Sequence, residues 1–329
     1  MRLDLQIQNM LKHFTNIGLT AAILLAASLT QAQDFPSKPI TLVAPFPAGS
    51  VTDSVSRALA QALQEALGQP VLVDNRAGAQ GTVGAAFVAR AKPDGYTLLV
   101  ASSVMFVANG LYKTLPYEPN EAFAPVSGLG STSMMFMVPE ASAFKSIADL
   151  TRAAKSDRPV TIGFGSPSGQ VALALYANAA KANPVPVSYR GIPQALTDLA
   201  GGHVNVAIVD LGSGVAQMNS GKMRPLAISA QSRSAAAPDV PTLEESFAGG
   251  GVSLETIIAI VAPANTPAPV IERLDIAIRA ALAKPEVKSR FASLTTAVMP
   301  LATPELIQRL KTDNPKWETL IKKAGIEAQ

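Results

Sequence analysis

Three short segments early in the chain, "ITLVAP" from Ile40, "PVLVDN" from Pro70 and "YTLLVAS" from Tyr96 to Ser102, are apolar almost throughout rather than on alternate residues. A strand with two apolar faces must be covered on both, which points to a parallel sheet held between layers of helix. The intervening segments supply the helices. Val55, Leu59, Leu63 and Leu67 recur every four residues from Thr52 to Leu67, one face of a helix ending at Gly68. "GTVGAAFVARAKP", Gly81 to Pro93, reads as a second helix stopped by proline. The alternation predicts a doubly wound, mostly parallel α/β lobe.

From Phe123 to Val138, "FAPVSGLGSTSMMFMV" is long for one strand and is broken by Gly128, Gly130 and Ser131, as expected of a segment that leaves one sheet and enters another. The pattern then repeats. "SIADLTRAAK", "VALALYANAAK", "PQALTDLAGG" and a short stretch to Ser220 read as helices, and "PVTIGF", "PVSY", "VNVAIVD" and "RPLAISA" as strands. A return crossing before "TIIAIVAP", Thr256 to Pro263, brings the chain home, and helices after Thr266 and Thr303 are expected to finish the first lobe. The resulting division is residues 33–130 with 252–329 for one lobe and 131–251 for the other. At 329 residues each lobe can bury its own core. Small ligands bind in clefts between such lobes.

The first 32 residues read as a secretory leader: Arg2 and Lys12, an apolar stretch from Ile17 to Leu29, and a cut after Ala32 with Thr30 two positions before it. That stretch is shorter than the roughly 20 residues of a membrane span. An exported chain without cysteine has no disulfide, thiol chemistry or zinc-thiolate site. Of two histidines, His13 leaves with the leader, so a catalytic triad or metal site would rest on His203, beside the turn "AGG". A solvated turn residue is the expected reading. A net charge of +3 without a basic run argues against a nucleic-acid partner.

Two loops carry the candidate chemistry. "APFPAGSVTD", Ala44 to Asp53, and "GFGSPSGQ", Gly163 to Gln170, each follow a strand and open a helix, the place where parallel sheets bind ligands. A helix start offers unpaired N–H groups and partial positive charge, and so attracts an anion without a cationic side chain. Gly49 permits close backbone approach, and Ser50, Thr52, Ser166 and Ser168 add hydroxyls. Two such starts face to face would grip both ends of a dicarboxylate. Simple capping by Thr52 or Asp53 is the alternative, and for Asp53 it is preferred because a carboxylate in an anion seat repels. No lysine follows the glycines as in a nucleotide phosphate loop. Gly78, Gly81 and Gly84 in "AGAQGTVG" have neither the spacing nor the place of the dinucleotide fingerprint.

"PSKPITLVAPFPAGSVTD", "GQPVLVDNRAGAQGTVGA", "KPDGYTLLVAS", "VSYRGIPQALTDLAGGHVNVAIVD", "SGKMRPLAISAQSRSAAAPDVPTLEE" and "IVAPANTPAPVIERL" together resemble the periplasmic solute-binding receptors of tripartite tricarboxylate transporters, the Bug-type proteins. The likeness covers nearly the whole chain after the leader. It implies a type II periplasmic-binding-protein-like fold with the cleft between its lobes. It also implies a monomeric, cofactor-free receptor that takes a small mono- or dicarboxylate, aliphatic or aromatic, to membrane transporter subunits. By the same resemblance the ligand contacts fall on Phe46, Pro47, Ala48, Gly49, Ser50, Thr52 and Asp53, on Ser102 and Ser103, on Gly165, Ser166, Ser168, Gly169 and Gln170, and on Asp210. Asp210 equally suits a helix cap. Departures from the family pattern are Ser50 and Val51 in a loop that usually has more glycine, Gln170 where histidine is common, and Pro167 in a shortened second loop. Met105 and Phe106 are either an apolar wall for an aromatic or alkyl acid or ordinary core.

Two other readings compete. A sensing subunit for a membrane kinase would share the fold. An exported hydrolase or isomerase lacks support, because the nucleophile-elbow pattern G-x-S-x-G is absent and "GFGSPSG" misses it by spacing.

Overall fold

The computed structural model describes residues 35–248, 250, 252–323 and 325–326. The expected leader, residues 1–32, lies outside them. The described residues from Pro39 onward form one compact unit. Phe35–Lys38 holds a bend, and among the described residues every strand and helix lies from Ile40 onward. Among the described residues no helix is long and apolar enough to cross a membrane.

The strands are β1 (Ile40–Ala44), β2 (Val71–Asn75), β3 (Thr97–Ser102), β4 (Phe123–Pro139), β5 (Thr161–Phe164), β6 (Val185–Ser188), β7 (Val206–Asp210), β8 (Met223–Ile228), β9 (Glu255–Pro263) and β10 (Ala297–Val298). The helices are α1 (Val51–Leu67), α2 (Thr82–Ala89), α3 (Ile147–Ala154), α4 (Pro167–Ala180), α5 (Ile192–Ala200), α6 (Leu211–Asn219), α7 (Leu243–Ser246), α8 (Ala268–Ala283), α9 (Pro285–Ser293) and α10 (Thr303–Lys323). Strand order runs β2-β1-β3-β9-β4-β7-β5-β6, with β8 and β10 also pairing β4. At one end β2, β1 and β3 are parallel; at the other β6, β5 and β7 are parallel. The two crossing strands between them, β9 and β4, run antiparallel to each other and to their outer neighbours.

Strand β4 joins the lobes without a break. Phe123 to Ser133 pairs with β9, and from Met134 onward its partners are β7 and β8. The glycines expected to interrupt it instead lie in an unbroken strand whose register against β9 shifts between Pro125 and Ser127 and between Gly128 and Gly130. Such bulges bend a strand while keeping most of its pairing, so one segment can serve two sheets.

The buried aliphatic residues that these strand patterns supply gather in clusters. Val43, Leu99, Phe106, Phe123 and Val261 share one cluster; Phe136, Ile162, Tyr176 and Ile208 share another, with the Phe136 and Tyr176 rings 5.5 Å apart. Met105 and Phe106 belong to the first cluster, and Phe106 meets Phe123 edge-on at 6.5 Å, so they are core. Helix α10 reaches both clusters. Leu306 and Leu310 pack in the cluster of Val43, whereas Trp317 and Ile321 pack in that of Phe136. A helix of 21 residues, about 31 Å long at the usual rise, is long enough to lie across both.

Candidate functional site

Helix α1 begins with Ser50 in extended conformation as N-cap, its hydroxyl accepting from the N–H of Asp53 at 3.2 Å. The cap is therefore Ser50 and not Thr52 or Asp53. Asp53 completes the cap from within the first turn: its carboxylate accepts from the Gly49 N–H at 3.0 Å, from Asn75 at 2.9 Å and from Arg57 at 2.9 Å. Burial alone would push that carboxyl up, but the bonds from Arg57, Gly49 and Asn75 outweigh it and hold the group below its ordinary value. Helix α4 begins the same way. Ser166 is its N-cap, accepting from the Gly169 N–H at 3.2 Å, with Pro167 in the first turn, where a missing donor costs nothing.

Both starts open on one small cavity of about 50 Å³. Phe46, Ser50, Val51 and Thr52 line it from the first loop and Gly165, Ser166 and Ser168 from the second. Ile192 and Asp210 complete the second-lobe side. The floor is formed by Ser102 with Thr132 and Met134 of β4 and Thr256 and Ile258 of β9. Thr132 pairs directly with Thr256, and Ile258 pairs with Ser102 on its other edge. Residues two apart on a strand share a face, which is why these alternate positions project together into the cleft. Thr256 is tied to the second loop through Ser168, hydroxyl to hydroxyl at 3.0 Å.

The remaining expected residues stand behind or beside this cavity. Pro47 lies on the rim against Gly191, where an added Cβ would sit 2.6 Å from the proline Cδ. Ala48 and Gly49 border a wider outer groove of about 770 Å³ together with Pro193 and Leu196. Ser103 is buried and accepts from the Ile257 N–H at 3.2 Å, bracing β9. Gly169 and Gln170 lie in the first turns of α4, their N–H groups bonded to the Ser166 hydroxyl and carbonyl. Gln170 is buried with its Oε1 unpartnered. His203 is exposed in the turn after α5.

Sequence reading missed Thr132, Met134, Ile192, Thr256 and Ile258 as cavity residues, four of which lie on its floor. Alternation on the two crossing strands is the signal that could have found four of them.

Among the described residues no lysine, arginine or histidine lines the cavity. Three helix starts reach it instead, and they are not equivalent. At α6 the protein's own carboxylate already occupies the start: Asp210 accepts from the Ser213 N–H at 2.8 Å and from its hydroxyl at 3.0 Å. At α1 and α4 the N-cap is a hydroxyl, and the Asp53 carboxylate in the first turn of α1 is taken up by Gly49, Asn75 and Arg57, so Val51, Thr52 and Ser168 keep N–H groups with no intrahelical acceptor. An incoming anion would find its seats at these two starts and repulsion at the third.

Burial pushes the Asp210 carboxyl above its ordinary value, against the bonds from Ser213 and from the Asp210 and Gly212 N–H groups that favour the charged form. A raised folded-state value means that this group's stabilisation is complete below its unfolded value, about 4, and is lost as pH rises through the folded value. Asp210→Asn, neutral at every pH and still able to cap, removes that loss. Urea midpoints of the variant relative to wild type are therefore expected to rise from pH 4 to pH 7.5; a relative fall would mean that the bonds hold Asp210 ionised.

The sequence matches the family model "Tripartite tricarboxylate transporter family receptor" over residues 55–326. It is 33% identical to protein BugT of Bordetella pertussis over 333 residues, 96% of this chain and 98% of that protein. Among solved structures it is similar to the periplasmic binding protein BugD, with a TM-score of 0.84 at 30% identity over 90% of this chain and 100% of that one. It is also similar to MatC from Rhodopseudomonas palustris, solved with bound malate, with a TM-score of 0.82 at 28% identity over 87% of this chain and 100% of that one.

Proposed function

Because the chain belongs to the tripartite tricarboxylate transporter receptors, a family of periplasmic solute-binding proteins, we propose that it captures a small carboxylate between the hydroxyl-capped starts of α1 and α4. The observation that carries this reading is the opening of both starts on a single cavity with no cationic side chain among the described residues of its lining. Backbone N–H groups and helix dipoles then provide the positive potential that a carboxylate needs. Phe46, Val51, Met134, Ile192 and Ile258 give the cavity an apolar wall, suited to an alkyl or aromatic body behind the acid group. Malate, held by MatC, is the natural first probe. The lobes we assign are 33–130 with 252–329 and 131–251, α10 packing in both buried clusters; the change of partners within β4 at Ser133 and Met134 supports the division. We assign residues 1–32 to a leader removed on export, and delivery of the ligand to membrane transporter subunits by a monomer.

A ligand that binds only the folded protein stabilises it by about 2.7 kcal/mol at a hundredfold excess over Kd, which at about 2–4 °C per kcal/mol raises the melting temperature by about 5–11 °C. A thermal-shift screen of malate, other mono- and dicarboxylates, amino acids and sugars is expected to give that rise with a carboxylate. A rise with a neutral sugar or a cationic amino acid, and with no carboxylate, would overturn the proposal.

A further inference from the structure

The two ends of the strand order, β2 and β6, are joined by one side-chain bond. Gln80, in the 3-10 turn Ala79–Gly81 that follows β2, donates from Nε2 to the hydroxyl of Ser188, the last residue of β6, at 3.1 Å. The sheet thus curls until its edges meet across the cleft, over a sequence separation of 108 residues.

The turn that presents Gln80 is costly. Gly78, Ala79, Gln80 and Gly81 all have positive φ, at 151°, 41°, 52° and 98°. Ala79 and Gln80 are not glycine, and side chains of L-residues crowd the backbone in this region. Although it sits at a lobe edge, Gln80 is only 6% exposed, and its Oε1 has no partner. Strained backbone and a buried, half-satisfied amide are both unfavourable for a turn whose only task is to connect β2 to α2.

Each end of the bond also stands directly behind a wall of the cavity. On the first lobe, the turn packs on Phe46, with an added Cβ at Gly81 lying 3.2 Å from the ring. On the second, Ser188 pairs with Phe164, which precedes Gly165 and Ser166. Beside the bond, Pro47 meets Gly191 across the same rim.

We infer that Gln80 is a positioning residue, a latch that holds the lobes closed through Ser188 and so sets how readily the cleft opens. The inference rests on the receptor reading for its purpose, but its test needs no ligand. A neutral hydrogen bond of ordinary strength corresponds to about a five-fold change in the closed-to-open ratio.

The chain has no cysteine, so spin labels can be placed at Gln64→Cys and Asp157→Cys, exposed positions on the two lobes, and the distance between them measured by pulsed electron resonance. Gln80→Ala keeps a Cβ and the backbone cost while removing the amide. Ser188→Ala removes the partner without touching the turn. Each is expected to move population from the short-distance to the long-distance state by about five-fold, and the double variant no further, because both delete one interaction. Circular-dichroism melts establish that the variants remain folded. Distributions of either single variant that superpose on wild type, or effects that add in the double variant, would overturn the latch. Failure of every carboxylate in the thermal-shift screen would overturn the receptor reading and leave the latch result standing.

Discussion

Ser166→Asp is expected to weaken carboxylate binding by two to three orders of magnitude while leaving the melting temperature of the unliganded protein close to wild type. Ser166 is the N-cap of α4 and lines the cavity. Aspartate caps a helix as well as serine does, so its carboxylate can accept from the Gly169 N–H in place of the hydroxyl. The helix start is then occupied by a fixed negative charge, as Asp210 already occupies the start of α6. Two like charges about 5 Å apart at an effective dielectric near 20 repel by about 3 kcal/mol, and each 1.4 kcal/mol is a factor of ten in affinity. Ser166→Asn separates charge from shape, since it caps equally and is neutral, and is expected to bind within a few-fold of wild type. Calorimetric titration of both variants with an acid that stabilises the wild type is the measurement. Equal affinity for the Asp and Asn variants would move the anion seat away from α4.

How much of the fold and the site is legible in the sequence depends on what a linear pattern encodes. Apolar runs such as "ITLVAP" and "YTLLVAS" mark strands buried on both faces, and the helices between them show in four-residue spacing, so the alternation of β1 to β3 with α1 and α2 is legible. The loops at the strand ends are legible too, because proline, glycine and serine clusters mark where a strand yields to a helix. Which hydroxyl caps is not. Ser50, Thr52 and Asp53 are all good caps by type, and only the conformation of the loop selects Ser50 and frees Asp53 to brace it through Gly49, Asn75 and Arg57. The cleft floor is hidden for another reason. Thr132, Met134, Thr256 and Ile258 become neighbours only once β4 and β9 are paired in register, and register is a property of two distant segments. The same holds for α10, expected from its sequence only as a helix after Thr303, in which Leu306 and Trp317 pack in different clusters.

The start of α4 depends on a second feature, the close approach of two loops, and Gly165→Ala is expected to lower stability by about 3 kcal/mol. A Cβ at Gly165 would lie 2.2 Å from the carbonyl carbon of Gly191 and 2.4 Å from the Ile192 nitrogen. These are backbone atoms, which cannot swing aside as a side-chain end can. The loop carrying Gly191 has no free direction of retreat, because on its other side Gly191 rests against the Pro47 ring of the first lobe. Whichever loop yields, a cavity wall moves, since Ser166 follows Gly165 and Ile192 follows Gly191. At about 2–4 °C per kcal/mol for a chain of this size, the melting temperature should fall by about 6–12 °C. Carboxylate affinity should fall with it by about tenfold, the equivalent of about 1.4 kcal/mol lost at the displaced wall. Adding Pro47→Ala opens a path for the Gly191 loop, so the double variant is expected to recover part of the lost stability, a non-additivity that arises only when residues share a contact. A Gly165→Ala melting temperature within 1–2 °C of wild type, or strict additivity with Pro47→Ala, would show that the loops are not wedged between one another and the opposite lobe.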